Sequence, residues 1–141
     1  MCGNAEAILL PVHVQNSHWE LVVIYPREQR IDILDSLNIT LDLRPLCHSL
    51  NQIFGVKGSW PSTRPRCGKQ PDGTSCGAFV AHHMKLLLTG VAPTGDNVPR
   101  KGNKELQKRT TRLIRSKMAR ELQSQKLDAG IALSNNFYVS K

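Results

Sequence analysis

At 141 residues with a formal net charge of +8, the chain is one domain's worth of sequence, long enough to build a core without covalent staples. No basic-plus-apolar leader opens it and no apolar run approaches membrane-spanning length, so an intracellular protein of the nucleus or cytoplasm, with no membrane partner, is expected. Its four cysteines, Cys2, Cys47, Cys67 and Cys76, lack C-x-x-C spacing, which argues against a zinc site or a secreted disulfide framework and for reduced thiols.

The positive charge is concentrated. Residues 1–99 carry as many acidic as basic side chains. Residues 100–126 set ten Lys/Arg against Glu105 and Glu121, which accounts for the whole excess.

In chain order, Ile8–Val14 is an apolar run that reads as a strand, with Pro11 favouring an edge or a bulge. His18–Tyr25 and Arg30–Leu37 are rich in β-branched and aromatic residues, and the short polar link Pro26–Gln29 joins them as a hairpin. If those four residues form the loop, Tyr25 faces Arg30 and Asp35 stands opposite Glu20. His18 then lies two residues further along the same face, a diagonal separation of roughly 7–8 Å at Cα, within reach of an imidazole. A loop one residue longer would move Asp35 to the other face.

Leu41–Gly55 has helical periodicity, with Leu43, Leu46, Leu50, Ile53 and Phe54 on one face, Pro45 near the first turn and Gly55 as terminator. Trp60 and Ser62–Arg64 form an edge strand at most, because Pro61 and Pro65 flank it. The stretch Gln70-Pro71-Asp72-Gly73-Thr74-Ser75-Cys76-Gly77 is turn chemistry running into an apolar segment that ends near Gly90. Cys76 thus stands where a polar loop enters the first turn of a buried helix, whose unpaired N–H groups and positive dipole end favour an anion. Thr89–Val98 is a linker or lid loop, rich in Gly and Pro. A long amphipathic helix follows from Asn103 to about Leu127, with Leu106, Leu113, Ile114, Met118 and Leu122 expected inward and the basic residues outward. Asp128–Lys141 is a tail that docks or frays.

Taken together, Cys76, His18, Asp35 and Gln70 supply the parts of a thiol peptidase. These are a nucleophile, a base that later serves as acid, a group that orients the base, and an amide donor for an oxyanion beside the Cys76 backbone N–H. The motifs His18-Trp19, Asp35-Ser36-Leu37 and Gln70-Pro71-Asp72-Gly73-x-x-Cys76-Gly77, in this order, resemble those of the ubiquitin-like-protein-specific proteases, the family of the SUMO proteases and adenovirus endopeptidase. Arg115–Leu122 is also similar to the family's closing helix. The resemblance implies an α+β, papain-like cysteine peptidase fold, with an antiparallel sheet packed on a central helix that carries the nucleophile at its N-terminus. It further implies cleavage after Gly-Gly of a ubiquitin-like modifier and its conjugates, no cofactor, and Trp19 as a substrate-binding wall that admits only glycine.

By the same resemblance the chain corresponds to a C-terminal portion of the peptidase domain. Residues 8–99 form the catalytic core, 100–127 the basic helix and 128–141 the tail, and a preceding subdomain with the second wall of the tunnel is missing. A partly open Trp19 follows from that reading. The alternative is a catalytically weak or inactive binding module whose basic helix, within 100–126, contacts an acidic partner or nucleic acid.

Overall fold

The computed structural model describes residues 6–93 and 103–132, with side chains as far as Ser124. The elements run β1 (Ile8–Val14), β2 (His18–Tyr25), β3 (Arg30–Leu34), α1 (Arg44–Phe54), β4 (Ser62–Thr63), α2 (Cys76–Leu88) and α3 (Lys104–Ala132). Cys2, residues 94–98 of the expected linker and residues 133–141 of the expected tail lie outside the described residues.

One four-stranded sheet in the order β1-β2-β3-β4 divides the core. Tyr25 pairs with Arg30 and Leu21 with Leu34, the register expected from a Pro26–Gln29 loop. Gln29 takes a left-handed φ of 50° to close that loop. The β1–β2 and β2–β3 pairs are antiparallel, whereas β4 joins β3 in parallel, so the sheet is mixed. A strand of two residues flanked by Pro61 and Pro65 has no length for more, and it occupies the edge.

Side-chain alternation gives each sheet face its own apolar cluster. Val22, Ile24, Ile31 and Ile33 pack with Leu50 and Trp60, beneath α1. Leu21, Val23 and Leu34 pack with Cys67 and Val80, beneath α2. In α1, Pro45 falls in the first turn, and Gly55 ends the helix in the left-handed conformation with its N–H donating to Asn51 O. The buried stripe of α1 runs through Leu43, Leu46, Cys47, Leu50 and Phe54. Ile53, expected on that face, is 68% exposed, because the stripe advances from Leu50 by four residues rather than three. Trp60 closes the end of α1, its indole N–H donating to Asn51 Oδ1 at 2.8 Å.

α3 departs most from expectation. Its packed face is Gln107, Thr111, Ile114, Met118 and Glu121, at alternating spacings of four and three. Leu106, Leu113 and Leu122 are exposed. Those three leucines do not share one stripe of a 3.6-residue helix, so no single rotation buries all of them. Ile114 and Met118 face inward as expected, and polar contacts complete the seam. Lys85 of α2 pairs with Glu121, and Arg115 donates to Ser75 Oγ at 3.2 Å. The helix also continues to Ala132, past the expected boundary near Leu127.

Within α2, His83 is 1% exposed, and neither ring nitrogen has a hydrogen-bond partner among the described residues. Phe79 meets its ring edge-on at 6.0 Å. Burial, with help from His82 and Lys69, pushes its pKa down to about 4, so the ring is neutral at pH 7. The unfolded chain therefore binds this proton more readily than the folded one. Stability from the neutral ring is complete above the ordinary histidine value and is lost as pH falls towards 4, by ~3 kcal/mol in all. Chemical denaturation at pH 7 and pH 4.5 is expected to show this fall in the wild type and a shallower one in His83→Leu. Parallel pH dependences for the two proteins would refute it.

Candidate active site

The β2–β3 register brings a histidine and a carboxylate together at the end of the sheet. His18 opens β2 and Asp35 follows β3. Both are 2% exposed, and His18 Nε2 lies 2.8 Å from Asp35 Oδ1. An ionised carboxylate only accepts, so Nε2 carries the proton and Nδ1 is left as the basic nitrogen. Nδ1 is buried and makes no hydrogen bond among the described residues, to Cys76 or to any other group.

Asp35 is held on every side. The N–H groups of Leu37 and Ile39 donate to its two carboxylate oxygens, and Arg64 Nη1 reaches Oδ2 at 3.2 Å. Its backbone carbonyl accepts from Lys69 Nζ at 2.6 Å and from the Cys67 thiol at 3.3 Å. This bracing fixes the direction in which the carboxylate presents itself to the imidazole.

The next residue, Ser36, reaches across to the cysteine loop. Its hydroxyl donates to Gln70 Oε1, and its carbonyl accepts from the Gln70 backbone N–H at 3.3 Å. Gln70 Nε2 donates one hydrogen to Asp72 O at 2.6 Å, which folds the side chain back along the Pro71–Gly73 turn and leaves a second N–H. Asp72 then organises the entry to α2. One of its oxygens accepts the N–H groups of Thr74 and Ser75, at 2.9 and 2.8 Å, and the other accepts the Ser75 hydroxyl at 2.8 Å. Partial burial opposes the charge on Asp72, but these donors outweigh it and hold its carboxyl below the usual range. Cys76 follows as the first residue of α2, a free thiol that is 7% exposed.

Trp19 lies beside His18 and is 42% exposed. The imidazole of His13, its partner on β1, stacks on it at 4.6 Å between centroids and 21° between planes. One face of the indole is therefore covered by a neighbouring strand.

Two residues escaped the sequence reading. Glu20, opposite Asp35 in the hairpin register, is fully buried, and neither of its carboxylate oxygens has a hydrogen-bond partner among the described residues. Its charge in an otherwise apolar strand was the available signal. Arg64 bridges the two carboxylates, 3.2 Å from Asp35 and 3.9 Å from Glu20, and nothing in the sequence pointed to it. Donor atoms of His18, Glu20 and Asp35 all lie within 4.8 Å of one another. Among the described residues, the Arg64 guanidinium is in ion-pair range of both carboxylates.

Residues 3–127 match the family model described as the Ulp1 protease family, C-terminal catalytic domain. No curated protein sequence matches the chain. Among solved structures, the Chaetomium thermophilum Ulp1-like SUMO protease catalytic domain is similar over 64% of this chain and 38% of its own, with 24% identity and a TM-score of 0.52. A SUMO protease Ulp1 with its catalytic cysteine oxidised to a sulfinic acid is similar over 77% of this chain and 52% of its own, with 20% identity and a TM-score of 0.50. The chain thus spans about half the length, or less, of these structures.

Burial, and then the neighbouring Asp35 charge, raise the Glu20 pKa against the opposing pull of Arg64, His18 and Lys69. The folded state holds this proton more tightly than the unfolded chain. The resulting stabilisation is present at acidic pH and is lost as pH rises beyond the ordinary glutamate value. Glu20→Gln is therefore expected to raise stability at pH 8 by on the order of 1 kcal/mol and to lose that advantage near pH 4. Urea denaturation of both proteins at the two pH values checks this, and an advantage independent of pH would refute it.

Proposed function

Because the chain belongs to the Ulp1 protease family, we propose that it is a thiol isopeptidase cleaving after the Gly-Gly terminus of a SUMO-like modifier, with Cys76, His18, Asp35 and Gln70 as its working groups. The observation that carries this reading is the buried His18–Asp35 hydrogen bond, which fixes the tautomer and leaves Nδ1 without a partner among the described residues. The choice of modifier follows the two solved structures, both described as SUMO proteases.

Each residue then has one task. His18 Nδ1 takes the proton of the Cys76 thiol, and the thiolate attacks the carbonyl carbon of the terminal glycine. The negative charge that develops on the carbonyl oxygen is met by the second N–H of Gln70 Nε2 and by the Cys76 backbone N–H. Collapse of the tetrahedral intermediate breaks the C–N bond, and His18 returns its proton to the leaving lysine amine. Water, deprotonated by the same nitrogen, hydrolyses the thioester, releasing the modifier's carboxylate and restoring the thiol. Asp35 stabilises the imidazolium at both stages. The open face of Trp19 forms a flat wall along the diglycine, against which a larger side chain would collide.

His18 and Cys76 are not hydrogen-bonded in the free protein, a looseness that substrate binding commonly removes. At neutral pH, a SUMO probe ending in a Gly-Gly vinyl ester is expected to label the protein at Cys76, as mapped by mass spectrometry. Cys76→Ser abolishes labelling, and His18→Ala slows it by at least ~100-fold. A folded protein that no modifier probe labels would instead be a binding module that has kept the fold without the reaction.

A further inference from the structure

The chemistry above uses one of the two buried carboxylates among the described residues, and Glu20 is the other. It lies two residues beyond His18 on the same face of β2. It is fully buried, and neither of its oxygens accepts a hydrogen bond among the described residues. A carboxylate so placed costs stability, because it has given up water without gaining a donor. What it has instead is proximity to the base. Donor atoms of Glu20, His18 and Asp35 lie within 4.8 Å of one another.

On the β1 side, the register partner of Glu20 is the apolar Val12. The charged and titratable groups that face it are Asp35, Arg64, His18 and Lys69. Arg64 lies 3.9 Å from Glu20 and 3.2 Å from Asp35. The half-buried Lys69 is committed to the Asp35 carbonyl and to Asn38 Oδ1, and its pull on Glu20 is the smallest of the four. While His18 is neutral, the two carboxylates outnumber the guanidinium by one. Once His18 is an imidazolium, the charges of Glu20, Asp35, Arg64 and His18 cancel.

Building on the roles proposed for His18 and Cys76, we infer that Glu20 is a positioning residue for the base, one that favours transfer of the Cys76 proton to His18 Nδ1 by completing a buried set of charges that balances with the ring protonated. In that transfer the S–H bond breaks, its electron pair stays on sulfur and an N–H bond forms. Glu20 exchanges no proton with either group and acts through its charge alone. The carboxyl and the ring titrate as a pair. Burial makes the surplus carboxylate hold its proton while the ring is neutral, and a charged ring releases that proton more easily. The ionisation that weakens the fold above the ordinary glutamate range is thus the one that strengthens the base.

Alkylation of Cys76 by iodoacetamide, followed on its own peptide by mass spectrometry from pH 5 to pH 8, tests this in the 141-residue chain without any modifier. At pH 5 wild type and Glu20→Gln should react at the same rate, because a protonated carboxyl and an amide are both neutral. By pH 7.5 wild type should be faster by roughly tenfold. In a His18→Ala background the same substitution should no longer slow the reaction, since no imidazolium remains to be supported. Coincident profiles for wild type and Glu20→Gln would overturn the inference. So would slowing of equal size at every pH, the mark of a changed shape, or slowing that persists without His18. A Glu20-dependent profile in a protein that no modifier probe labels would keep this role for Glu20 and remove the proposed substrate, whereas probe labelling with coincident profiles would do the reverse.

Discussion

The hydrogen bond between His18 and Asp35 exists in one register of the β2–β3 hairpin and in no other. Because side chains alternate along a strand, a shift of one residue would turn Asp35 to the opposite face and carry Ile31 and Ile33 out of the core that they share with Val22 and Ile24. The apolar pattern and the His18–Asp35 pairing therefore impose the same constraint. Pro26–Gln29, closing in four residues with Gln29 in the left-handed region, satisfies both. The core holds the pair in place, at a strand end where a lone imidazole would otherwise turn into solvent.

Asp35 also fixes what lies downstream. Its carbonyl anchors Lys69 and Cys67, and the adjacent Ser36 holds Gln70 by both backbone and side chain. The loop that carries Gln70 and leads into Cys76 is thus tied to the residue after the carboxylate. Asp72 takes over from there, accepting the N–H groups of Thr74 and Ser75 in the turn that enters α2. Ser75 stands at the helix boundary, but its own hydroxyl serves Asp72 and Arg115 rather than capping the helix. A displacement at Asp35 would therefore be felt at Cys76 through a chain of direct hydrogen bonds.

Much of this was legible in the sequence, for reasons that differ by element. The strands of the hairpin were readable because β-branched residues alternate on both sides of a short polar link, and α1 because Pro45 and Gly55 mark its ends. The cysteine helix was readable because turn residues give way abruptly to apolar ones at Cys76. The rotation of α3 was not, since reading it required every leucine to point inward. The helix instead buries Thr111 and Gln107, and pairs Glu121 with Lys85. Periodicity sees hydrophobicity alone, and a seam made of polar contacts is invisible to it. Parallel pairing of β4 was equally hidden, because two residues carry no pattern.

Glu20 and Arg64 show how a buried polar cluster can be present without being visible in any motif. Two carboxylates beside one imidazole would repel each other in a medium from which water is excluded, and desolvation adds to the cost. Arg64 offsets part of this from the sheet edge, bonding Asp35 directly and reaching Glu20 only at 3.9 Å. The asymmetry leaves Asp35 braced as an ion by four donors, while burial raises the pKa of Glu20. One carboxylate is hydrogen-bonded to His18, and the other shapes the electrostatic surroundings from a position with no hydrogen bond among the described residues. The placement of Arg64 decides which is which. It follows β4, and β4 is held at the edge by its parallel pairing with β3, so the two-residue strand that the sequence least revealed sets the charge balance around His18.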